Sequence, residues 1–64
     1  MINAYIVDAD FAAKNQRKQV NENVIEFNQT KDGRWFVNVE AAAILPNENW
    51  ASFEIVELDN EDML

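Results

Sequence analysis

Apolar and polar positions alternate most regularly between Val24 and Val39, in VIEFNQTKDGRWFVNV. Successive side chains of a strand point to opposite faces. Asp32-Gly33 breaks the run, and Gly33 is the chain's one glycine. Glycine reaches positive φ without a Cβ clash, which a three-residue hairpin loop requires at one position. Taking Lys31-Asp32-Gly33 as that loop sets Thr30 against Arg34, Gln29 against Trp35, Phe27 against Val37 and Ile25 against Val39. Ile25, Phe27, Trp35, Val37 and Val39 then share an apolar face. Val24, Glu26, Asn28, Arg34, Phe36 and Asn38 share a mostly polar one. A slip of one residue would scramble both faces, so pattern and turn chemistry select one register.

The remaining segments follow from the same reading. INAYIV, Ile2 to Val7, is rich in β-branched and aromatic residues and predicts a strand. It carries apolar residues on both faces, as a central or well-covered strand does. Asp8 or Asp10 can cap a short helix over residues 10–18, although its apolar stripe is thin: Phe11 and Ala12, then little before Val20. Asn21-Glu22-Asn23 is a turn-like cluster. EAAAIL, Glu40 to Leu45, favours one or two helical turns that end before Pro46. A continuation of the preceding strand through Ala43 competes with that helix. Asn47-Glu48-Asn49 reads as a loop and ASFEIVEL, Ala51 to Leu58, as a last strand. The expected fold is a small, β-rich α+β domain. Its core is a four-stranded, mostly antiparallel sheet or partly open barrel, with a central hairpin and one or two short helices. Residues 1–58 form the domain and residues 59–64 an acidic, frayed tail.

Composition narrows the ways such a chain can be stable and what it can do. A domain of 64 residues buries only about 60% of its unfolded surface, and chains of this size commonly need a staple. There is no cysteine and no histidine. Disulfides are therefore excluded and the usual zinc ligands are missing. Packing of four Phe, two Trp and one Tyr, or a partner surface, must serve instead, so a homo-oligomer is one route to stability. No apolar run approaches the roughly 20 residues needed to span a bilayer, and the N-terminus lacks the pattern of a secretory signal. The expected compartment is the cytoplasm, with no membrane partner.

The formal net charge is −7, and it is unevenly placed. Up to residue 34, Lys14, Arg17, Lys18, Lys31 and Arg34 balance Asp8, Asp10, Glu22, Glu26 and Asp32. Beyond it stand Glu40, Glu48, Glu54, Glu57, Asp59, Glu61 and Asp62, with no Lys or Arg. One-sided charge costs self-repulsion but steers oppositely charged partners.

Several groups invite a chemical reading, each beside a plainer one. Asp8 and Asp10 could hold Mg²⁺ through bound waters, but no phosphate-cradling glycines accompany them, and capping is the simpler role. Lys14, Arg17 and Lys18 would be neighbours on one helix and could touch phosphate. Otherwise they are a solvated face. Phe36, beside Arg34 and Asn38, is either an exposed aromatic anchor of the kind found at interfaces or core beneath a helix or loop. Trp50 is the lid of the core or an exposed anchor. Ser-His and Cys-His nucleophilic catalysis is impossible without His or Cys. Carboxylate acid-base chemistry is not excluded by composition, but so short a chain has little room for a cleft. Neither an enzyme nor a cofactor is expected.

The reading that follows is a small acidic protein-binding module. It would act as an inhibitor or antagonist of a basic, nucleic-acid-handling protein by imitating nucleic-acid charge, without binding nucleic acid itself. By analogy this suits accessory proteins of phages and mobile elements. Glu48, Glu54, Glu57, Asp59, Glu61 and Asp62 would meet the partner, with Phe36 as anchor. A structural protein that self-associates through a sheet edge or the Phe36 face is the alternative. A single-strand nucleic-acid binder using Arg34, Phe36, Lys14 and Lys18 is the third reading.

Overall fold

A computed structural model describes residues 1–15, 18–20, 22–45 and 48–63. The elements are β1 (Ile2–Val7), α1 (Ala9–Asn15), β2 (Lys18–Val20), β3 (Asn23–Ile25), β4 (Asn28–Gln29), β5 (Trp35–Asn38), α2 (Val39–Ala42) and β6 (Glu54–Leu58). Single 3-10 turns cover Trp50–Ser52 and Asn60–Asp62. Four strands form an open antiparallel sheet in the order β4-β5-β1-β6, and β2 and β3 form a separate two-stranded ribbon. The fold is a small α+β domain, and the sheet does not close into a barrel.

The hairpin has the expected register at its turn. Gln29 lies opposite Trp35 and Asn28 opposite Phe36. The Thr30 N–H donates to the Arg34 carbonyl at 2.8 Å and the Gly33 N–H to the Thr30 carbonyl at 3.0 Å. Gly33 has φ of 94°, the left-handed position that a three-residue loop demands. Further from the turn the two legs separate. Val39 begins α2 and does not pair with Ile25, because the alanine run takes up helix. The first leg, left without a strand opposite, turns away at Glu26-Phe27, and Ile25 pairs with Lys18. The face assignment nonetheless survives this break. Ile25, Phe27 and Val37 are buried in one cluster with Val7, Ala12, Ala42 and Leu45, and Trp35 packs against it.

The first strand is central, between β5 and β6, as apolar residues on both its faces require. Tyr5 and Val7 face the main core under the helices, while Ala4 lies in a second cluster with Phe36 and Leu58. The helix expected over 10–18 is shorter. It runs from Ala9 to Asn15, and Lys18 already belongs to β2. Lys14 and Lys18 are therefore not neighbours on one helix. Arg17, Asn21, Pro46 and Asn47 lie outside the described residues. Asp8 starts α1: its Oδ1 accepts the Phe11 N–H at 2.7 Å, satisfying one orphan donor of the first turn.

The thin apolar stripe of α1 is compensated by one residue. Phe11 meets Phe53 with ring centroids at 4.9 Å, Trp50 at 5.7 Å and Phe27 at 5.8 Å, all edge to face. Trp50 also stacks on Tyr5 at 5.1 Å, and its Nε1 donates to the Leu45 carbonyl at 2.9 Å. Trp50 is thus part of the core lid. The last strand starts at Glu54, later than the pattern suggested, because Trp50–Ser52 coils into the turn that delivers Trp50 and Phe53 to this aromatic group.

Candidate functional site

The acidic residues hang on β6 and on the turn that follows it. On β6, Glu54 stands opposite Ile6 and Glu57 opposite Asn3. Three positions apart, these two glutamates point to opposite faces of the sheet, about 10 Å apart along the strand. Because β6 is an outer strand, both faces flank the same free edge, and the two carboxylates rim it. Asp59 and Glu61 extend the charge into the Asn60–Asp62 turn, and all four side chains are exposed. Among the described residues none of these four makes an ion pair; Arg34 pairs instead with Asp32 in the hairpin loop, at 3.1 Å.

Other expected contact residues are placed differently. Glu48 is half-buried before the Trp50 turn, away from β6 in sequence. Asp62 is exposed but has a structural role: its Oδ2 accepts the Asp59 N–H at 3.0 Å. Phe36 is 3% exposed. Its ring belongs to the second core, with Ala4 and Leu58 beneath Ile2, Ile6, Val56 and Met63. It cannot be the exposed anchor, and it cannot serve as a base-stacking platform. Burial wins because the chain has few other large apolar residues to fill that face.

What covers Phe36 is the segment expected as a tail. Residues 59–63 fold back across the sheet from the β6 side. Met63 forms an antiparallel bridge with Thr30, and the Lys31 N–H donates to the Asp62 carbonyl at 2.9 Å. This strap is tied to the chain just beyond β4, and among the described residues no strand pairs with the outer side of β6. Beside it lies a groove of about 510 Å³ lined by Ile2, Asn28, Gln29, Phe36, Asn38 and Met63. None of these six side chains titrates near neutrality, so the groove offers no general acid or base. Asp8, half of the candidate metal pair, has an oxygen committed to the α1 cap, and among the described residues no group of three or more acids gathers to hold a metal ion.

Two features of the site escaped the sequence pattern. One is the strap, whose local sign is the apolar pair Met63-Leu64 after an acidic run. The other is Ile55, 58% exposed on the outer strand; in sequence it is indistinguishable from a core residue of an alternating strand. Comparison with known families, curated proteins and solved structures finds no match. Among the described residues no helix is long and apolar enough to cross a membrane.

Proposed function

We propose that this chain is a small acidic protein-binding module of the cytoplasm that antagonises a basic, nucleic-acid-handling protein. It presents carboxylates where the partner's groove receives phosphates. The observation that carries this reading is the charge of β6 and the turn after it: Glu54, Glu57, Asp59 and Glu61 are exposed and, among the described residues, make no ion pair, and no Lys or Arg follows Arg34. An ordinary solvated surface mixes signs. A single-sign rim speeds encounter with a basic surface and weakens as salt screens it. Phosphate binding by this chain itself is opposed by its net charge of −7.

The test is capture of basic nucleic-acid-binding proteins on the immobilised chain, with added DNA as competitor. Capture should fall with salt, fall with DNA, and drop by about tenfold or more in the Glu54→Lys/Glu57→Lys variant. Capture indifferent to all three would overturn the reading. Assembly through the β6 edge is the competing reading, favoured by the exposure of Ile55 there. A homo-oligomer stable at both low and high salt in sedimentation would support it instead.

A further inference from the structure

The two edges of the sheet are treated differently, and the difference points to a mode of binding. The β4 edge is two residues long, and the chain just beyond it is tied down by the Thr30–Met63 bridge and the Lys31–Asp62 hydrogen bond. The β6 edge is five residues long, and among the described residues no strand pairs with its outer side. An open edge presents a row of backbone donors and acceptors to any extended chain. On this edge stands Glu54-Ile55-Val56-Glu57: two exposed carboxylates bracket one exposed isoleucine and one half-buried valine.

We propose that the outer edge of β6 is a docking strip for an extended segment of a basic partner, which adds to the sheet as a fifth strand. The proposal rests on the acidic-binder reading and gives it a geometry. Residues directly opposite across an antiparallel or parallel pair interact, with opposite charges stabilising and like charges destabilising. The matching segment therefore reads basic-apolar-apolar-basic, its bases facing Glu54 and Glu57 and its apolar residues covering Ile55 and Val56. That pattern is the same in either chain direction, so charge alone leaves strand polarity free. A second copy of β6 fits worse. Two chains of net charge −7 repel each other, and the charged residues of β6 are acids in both copies.

The probe is a synthetic peptide of about ten residues with Lys-Val-Val-Arg at its centre. One control has the same composition with its bases moved together at one end. A second carries N-methyl groups on alternate backbone nitrogens of the central stretch. Binding is followed by NMR shifts of the β6 amides and by their hydrogen exchange. The matched peptide should bind about tenfold more tightly than either control and slow exchange within 54–58. The Glu54→Lys/Glu57→Lys variant should lose it and accept the Glu-Val-Val-Glu counterpart. Equal, salt-sensitive binding of all three peptides would overturn strand addition while leaving the charge-driven reading intact. Capture of folded basic proteins without any peptide binding would do the same. Concentration-dependent protection of β6 without peptide would assign the edge to a second copy and overturn the proposal. Binding of neither peptides nor basic proteins would overturn both readings.

Discussion

Thr30 and Met63 form an antiparallel bridge that fastens the end of the chain to the hairpin loop. Thr30 is itself buried, with its hydroxyl donating to Asp32 and accepting the Arg34 N–H at 3.0 Å. The strap that helps cover Phe36 is thus anchored on the hairpin turn. Removing residues 59–64 should uncover the second core. We expect a loss of roughly 2 kcal/mol in urea unfolding, since a partly buried Met and the contacts beneath it return to water. Binding of an apolar dye should rise. Unchanged stability and dye binding would mean that the strap contributes nothing.

The aromatic group around Phe11 packs against the main core. Trp50→Ala should cost about 3–5 kcal/mol, a large share of what a chain of this length can have. Trp50→Phe keeps most of the stacking on Tyr5 but drops the hydrogen bond to Leu45, for a loss nearer 1–2 kcal/mol. Thermal and urea unfolding of the two variants would check the order. Equal, small losses would show that Trp50 is not part of the lid.

Gly33 is a conformational requirement and not a matter of space. A Cβ added there would meet nothing nearer than Gln29 Nε2 at 3.8 Å, yet φ of 94° strains any L-residue. Gly33→Ala should cost about 1–2 kcal/mol, and Gly33→Asn less, because Asn tolerates positive φ better. Equal unfolding midpoints for wild type and Gly33→Ala would contradict the loop geometry.

Asp32 carries a pH signature. The hydroxyl of Thr30 and then the guanidinium of Arg34 hold its carboxyl below the usual carboxylate range. A folded-state value below the unfolded one contributes stability above the unfolded pKa, which is lost as pH falls through the folded value. The window is therefore acid, below about pH 4. Asp32→Asn should lie below wild type in urea midpoint at neutral pH and converge with it on acidification. Parallel curves down to low pH would exclude this contribution.

The local pattern determined a good deal. Alternation and one glycine specified the loop, the Gln29–Trp35 register and the division of Ile25, Phe27, Trp35 and Val37 from Phe36. Apolar residues on both faces of Ile2–Val7 marked the central strand. These are properties of neighbouring residues, set by backbone sterics and the two-residue period of a strand. Tertiary structure decided where pairing stops and what covers each face. Val39 could extend a strand or begin a helix, and the cost of parting Ile25 from it depends on β2 offering another partner. Phe36 and Ile55 look alike in an alternating pattern. One is buried because the chain end returns over it, the other exposed because β6 ended at the sheet's edge. Burial of that kind follows from which distant segments meet, and the free energy of those meetings is not written in the residues nearby.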